Sequence, residues 1–339
     1  MITNSNGSSN ELSVTKENRG LLISKKKNPF TSREAGLLLV ILMAGVLLTF
    51  FAPSFLQKKN FISVSIGLAY DLIIALGMTL ILIVGGIDLS VGSVLALTGV
   101  ITTLLLNAHV SIPLAIILGL GSSVLAGLIT GLGVTRFNIP PFIASLGMMS
   151  IARGTATVLT SGYFVTNLPD SYKMIGRGVF LGIPYPIYAT VFLVILFAYI
   201  LKNWGPLAKT FYIGTNAKAA ELSGINAKLI TLSSYIICSL MAGIAALFQT
   251  ARLGMGYAQM GQGAELRAIA AALIGGASLA GGGEGSVVGT FLGVVLLAVI
   301  LNGFILLNVS IYWQGVVNGL ILVIVVAVDA IQRAKISKE

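Results

Sequence analysis

Asp71 and Arg153 each stand alone as the charged residue of a long apolar run, 62 to 84 and 141 to 160. A charge at the centre of a bilayer costs about 2.5–3.5 kcal/mol on insertion scales. Side chains of this kind therefore need a partner, an aqueous route or a path to the interface. Three readings follow: the two charges pair, they line the route of a polar solute, or they snorkel to headgroup level. Asp88 is a further carboxylate, placed just before another apolar run. There it reads as a cap on orphan helix N–H groups, with gating or solute contact as the alternative. Glu265 and Arg267 open a later apolar run and read as docking charges on an outer surface.

Little else suggests covalent chemistry. Cys238 is the single cysteine and His109 the single histidine, so no intrachain disulfide can form and no metal-ligand spacing exists. Cys238 reads as a packing residue and His109 as loop polarity. No nucleophile or His/Cys/Asp constellation points to an enzyme, and no catalytic residue is assigned. The glycine-rich stretch Gly275 to Ser286 lacks the lysine of a phosphate loop, so this chain is not expected to bind nucleotide through it. Tight helix packing is the better reading of those glycines.

The elements that position these residues follow from composition. The chain has 339 residues, 56% hydrophobic and 9% charged, which cannot cover a soluble globule with a polar surface. Apolar runs long enough for a bilayer recur at 35–53, 62–84, 91–107, 113–134, 141–160, 186–203, 229–250, 267–281, 286–307 and 313–331. An all-α polytopic transmembrane bundle of about ten spans is expected. The third and eighth runs are short and glycine-flanked, and so read as partial or broken helices. Residues 1–34 read as a polar, partly disordered cytoplasmic tail, 35–331 as the membrane domain and 332–339 as a cytoplasmic C-terminal tail. With both termini in the cytoplasm, 14 basic residues fall on the cytoplasmic side and six on the other, which matches the positive-inside rule. The net charge of +10 is thus spread over loops and does not suggest nucleic acid. Gly127 with Gly131, and Gly289 with Gly293, have the spacing that lets helix backbones approach closely in lipid. The longest outer connection, 161 to 186, carries Asp170, Lys173 and Arg177 and reads as a docking or gating surface.

One cytoplasmic segment, Gly214 to Asn226, has the pattern of a short helix. Asn216 suits the N-cap, Ala220 and Glu221 are helix formers, and Gly224 after Ser223 suits the left-handed position that ends a helix. Two turns are not stable alone in water, so either the body of the protein or a separate cytoplasmic subunit must pack against them.

This segment resembles the coupling helix of the ribose-type permeases of ABC importers. Gly85-Gly86-Ile87-Asp88-Leu89-Ser90-Val91-Gly92-Ser93, Phe142-Ile143-Ala144-Ser145-Leu146-Gly147 and the Gly275 to Ser286 segment are similar to the same family, over residues 36 to 330. The chain departs from that pattern at Arg267, where such permeases typically carry an acidic residue. The resemblance implies a homodimer in a bacterial cytoplasmic (inner) membrane and a cytoplasmic ATPase subunit that holds ATP and Mg. It also implies an extracytoplasmic solute-binding protein that delivers a pentose, hexose or related molecule. An ion-coupled secondary transporter is the alternative, since an intramembrane carboxylate is compatible with it.

Overall fold

A computed structural model describes residues 32–336 except Ala280 and Ile311. The polar tail expected at 1–34 lies outside the described residues up to position 31, and α1 (Ser32–Phe51) begins within it. The remaining long helices are α2 (Lys58–Ile83), α3 (Val91–Asn107), α4 (Ile112–Thr135), α5 (Pro141–Thr160), α7 (Tyr185–Asn203), α11 (Ala227–Leu253), α12 (Ala264–Ile274), α13 (Val287–Leu306) and α14 (Trp313–Ile336). Between them lie α6 (Asp170–Arg177), a hairpin of β1 (Val179–Phe180) and β2 (Ile183–Pro184), and the short helices α8 (Gly205–Ala208), α9 (Thr210–Thr215) and α10 (Ala217–Leu222). Among the described residues, eight helices are long and apolar enough to cross a membrane, and the apolar α3 is shorter. With the 11-residue α12 these are the ten apolar runs of the sequence.

Burial sorts the helices by depth in the bundle. α2 is apolar on all sides and buried from Leu72 to Ile83, as a helix surrounded by protein must be. α1 and α14 instead expose Leu42, Phe50, Val323 and Ile324, which suits a lipid-facing rim. Glycine sets the closest approaches. On α4, Gly127 and Gly131 rest on the Leu232–Ser239 stretch of α11, and on α13, Gly289 and Gly293 rest on the carbonyls of Gly275 and Ala271. Where packing cannot be tightened further, polar pairs tie helices together. The amides of Asn60 and Asn302 exchange hydrogen bonds of 3.0 and 2.8 Å, and the hydroxyls of Thr79 and Thr290 are 2.7 Å apart.

Two helices are interrupted in the bundle interior. After α11 the chain turns back through residues 254–263, so α12 starts level with Asp71, in the middle of α2. After α2 it turns back through 84–90, and the first turn of α3 meets that of α12: a Cβ on Gly92 would collide with the Gly261 carbonyl and the Glu265 carboxylate. The backbone of both re-entrant stretches is irregular, which a membrane tolerates where protein surrounds it. Hydropathy placed the eighth run at 267–281; the helix starts earlier and ends at Ile274, because Gly275 and Gly276 break it.

Candidate functional site

At one end of the bundle, α10 is closed at both termini by its own sequence. The Asn216 side chain accepts from the Ala219 N–H at 3.0 Å, the N-cap bond that the spacing predicts. At the other terminus the Gly224 N–H donates to the Glu221 carbonyl and the Ile225 N–H to the Ala220 carbonyl, at 2.9 and 3.0 Å. That is a Schellman closure, and it needs the positive φ of +80° that Gly224 supplies. Ala220 and Ile225 face a small apolar cluster with Val84, Ile213 and Ile230. Glu221, Ser223 and Leu222 face outwards, Leu222 with 84% of its surface exposed. A lone leucine in a polar segment was the signal for this residue, and the sequence reading passed over it.

Glycines hold the segment against the bundle. A Cβ on Gly214 would strike the Ile83 carbonyl and the Gly283 nitrogen, whose own hydrogen bond is 2.7 Å long. Gly282, at φ +57°, leaves no room between itself and the Cα atoms of Gly214 and Gly85. The glycine-rich stretch therefore joins the approach to α10 to the end of α2, where the chain turns back towards Asp88.

The middle of the bundle is polar. Arg267 forms a two-pronged ion pair with Asp71, Nε to Oδ2 at 3.1 Å and Nη2 to Oδ1 at 3.0 Å. Asp71 thus pairs with Arg267 and not with Arg153, whose Nη1 donates to the carbonyls of Ala258 and Met260. Glu265 and Arg267 are likewise not outer-surface charges. The re-entrant stretch before α12 carries them into the interior, where Glu265 Oε1 accepts from the Gly263 N–H at 3.2 Å. Nor does Asp88 cap α3 in the usual way: fully buried, its Oδ1 accepts from the N–H and the hydroxyl of Ser90 at 2.8 and 2.6 Å, in the turn before the helix. Placing carboxylates at the two meeting helix N-termini offsets the positive ends of their dipoles.

Arg153 and Glu265 line one cleft of about 690 Å³, together with Ser93, Ser150, Thr157, Gln259 and Gln262. A smaller cavity of about 150 Å³ adjoins the Asp71–Arg267 pair and is lined also by Tyr70 and Gln249. Asp88 lies outside both. The sequence reading named the charges but missed Ser93, Gln259 and Gln262, since neutral polar residues carry no mark of depth.

At the opposite end, α6 packs on α11: Gly176 abuts the backbone of Phe248 to Arg252, and the buried Tyr172 hydroxyl lies 2.6 Å from that of Thr250. Arg177 donates to the carbonyls of Arg252 and Leu253, closing the last turn of α11. Lys173 pairs with the exposed Asp170 at 2.9 Å, and that hydrogen bond, with the lysine charge behind it, holds the Asp170 carboxyl below its ordinary pKa. Tyr163, Phe164, Phe180 and Leu181 stand exposed around them.

A multi-pass helix bundle with broken central helices, a polar interior and a capped helix presented at one end defines a membrane permease component. The family described as branched-chain amino acid transport system / permease component matches residues 60–326. The ribose import permease protein RbsC of Bacillus subtilis (strain 168) is 37% identical over 310 residues, 91% of this chain and 93% of that protein. RbsC of Escherichia coli (strain K12) is 36% identical over 86% of this chain and 92% of its own length. The L-arabinose ABC transporter permease protein AraH of Azospirillum brasilense is 30% identical over 88% of each. No solved structure matches the chain. The chain belongs to the ribose-type ABC importer permease family, as a membrane-spanning subunit.

Proposed function

We propose that this chain forms the translocation path of an importer for a monosaccharide, with a ribose-like pentose as the first candidate. The names of its relatives, two ribose permeases and an arabinose permease, support that class. α10 faces the cytoplasm and docks a separate ATPase subunit, which holds ATP and Mg; this chain binds neither. α6 and the hairpin face the opposite side and receive a solute-binding protein, and both chain termini are cytoplasmic, in a bacterial inner membrane.

A second copy of the chain completes the path. The cleft opens beside the exposed face of α5, where Ser150, Thr157, Gln259 and Gln262 are accessible. Lipid offers those groups no hydrogen bonds, whereas a facing copy encloses them around water.

The observation that carries the reading is α10: a helix too short to stand alone, closed at both ends, seated on backbone through Gly214 and presenting Leu222 to solvent. Co-purification of the tagged chain with its ATPase subunit tests it. Wild type should retain the ATPase, and Leu222→Arg should lose it at an unchanged melting temperature. Retention by both Leu222→Arg and Gly224→Trp would remove α10 from the docking surface. Transport by a chain that never recruits an ATPase would replace this reading with ion-coupled transport.

A further inference from the structure

The cleft at the centre of the bundle has a donor set that selects a class of solute. Its two charged side chains are opposite in sign, Arg153 and Glu265, and the neighbouring Asp71–Arg267 pair is neutral as a unit. A solute with net charge would gain no compensating charge there while losing its water. Gln259, Gln262 and Thr157 offer both donors and acceptors, as a sugar hydroxyl does.

Two polar atoms of residues on this lining make no hydrogen bond within the chain. Ser93 is 1% exposed, and its Oγ makes no hydrogen bond; Glu265 Oε2 is buried and likewise unbonded. Buried polar atoms in folded proteins are nearly always paired, so an unpaired hydroxyl and an unpaired carboxylate oxygen on one cleft point to a ligand that supplies what is missing. A hydroxyl can donate to Glu265 and either accept from or donate to Ser93.

We propose that the cleft between α5 and residues 259–265 is a low-affinity binding site for a neutral polyhydroxylated solute, read by Ser93, Gln259, Gln262 and Glu265. The solute class rests on the importer reading above, whereas the site stands on the unpaired atoms. Binding here is weak, because a site on a path must release what it takes. The permease thus adds a selection step of its own, separate from that of the binding protein.

Thiol labelling tests the site without relying on transport. Cys238 is fully buried, so a cysteine placed at the exposed Gln262 is the only accessible thiol among the described residues. The Gln262→Cys chain, purified with its ATPase, is labelled by a charged methanethiosulfonate reagent with and without D-ribose. Competitive occupancy slows labelling by 1 + [L]/Kd, about threefold at a sugar concentration twice Kd. Slower labelling with D-ribose, unchanged by L-leucine or inorganic phosphate, supports the proposal. Slowing by L-leucine but not D-ribose overturns the solute class, since Arg153 and Glu265 would then be holding a zwitterion. Equal labelling with and without D-ribose up to 100 mM, or about a hundred times a millimolar Kd, overturns the site, even if the same complex imports ribose. Protection in a chain that imports ribose without its ATPase keeps the site and rejects the ATP-driven reading. Ser150→Cys, exposed on the same cleft but outside the four residues that read the solute, is labelled in parallel; equal labelling of both variants with and without D-ribose overturns the site, and Ser150→Cys decides alone if Gln262→Cys does not fold.

Discussion

The junction beneath α10 and the polar centre of the bundle solve opposite problems. At the junction, Gly85, Gly214 and Gly282 bring backbone against backbone, and beside Gly283 the one side-chain group in close contact is the Thr215 hydroxyl. At the centre, side chains face one another across open volume, and several of their polar atoms remain unpaired. A contact with few adjustable parts is suited to passing on a displacement, since close-packed interiors transmit strain. A contact with spare hydrogen-bonding capacity is suited to responding to what enters. The chain runs directly from one region to the other, from Ile83 through the re-entrant turn at Asp88 to Ser93.

The contrast breaks most sharply at the centre. Asp71→Leu should destabilise the protein by about 3–5 kcal/mol, because it strands the Arg267 guanidinium in the interior without its carboxylate. Asp71→Leu combined with Arg267→Met removes both charges and should recover most of that loss, as read from thermal melting in detergent. A single variant with wild-type melting would show that the pair does not hold α2 to α12. At the junction, Gly214→Ala should cost about 1–3 kcal/mol by overpacking, since the added carbon meets the Ile83 carbonyl and the Gly283 nitrogen. Gly121→Ala is the control, for nothing lies within 4 Å of its Cβ position. Equal melting of the two alanine variants would mean that the junction can yield.

What the sequence could and could not reveal follows the same division. The helices, the Asn216 cap, the Gly224 terminus and the glycine pairs were legible, because each depends on residues within a few positions of one another. The partner of Asp71 was not. Arg267 lies 196 residues away, and hydropathy reports that a run is apolar but not how deep it begins. For the same reason Glu265 and Arg267 read as outer charges, although the re-entrant stretch before α12 carries them inwards. Asp88 read as a cap because it precedes a helix, yet its oxygen holds Ser90 within the turn.

Smaller effects sharpen the picture at the two ends. Asn216→Ala deletes one capping bond and should cost about 0.5–2 kcal/mol, confined to α10. Faster hydrogen exchange at the Ala219 amide, with unchanged exchange in α2, would locate the loss there. Unchanged exchange at Ala219 would show that the contacts of Ala220 and Ile225 hold the helix without its cap.

At the far end, Asp170→Asn should have the smallest effect. The carboxyl is fully exposed, and its pairing with Lys173 is screened by solvent. Because the folded protein holds this pKa below its ordinary value, the pair's contribution is present above the usual aspartate range. It fades as pH falls through the lowered pKa. Wild type should therefore melt only slightly above Asp170→Asn at neutral pH, and the two should converge on acidification. Uptake separates structure from docking: if Asp170→Asn melts like wild type but binding-protein-dependent uptake falls, the carboxylate belongs to the receiving surface. If uptake is unchanged as well, docking at this end rests on the exposed Tyr163, Phe164 and Leu181 instead.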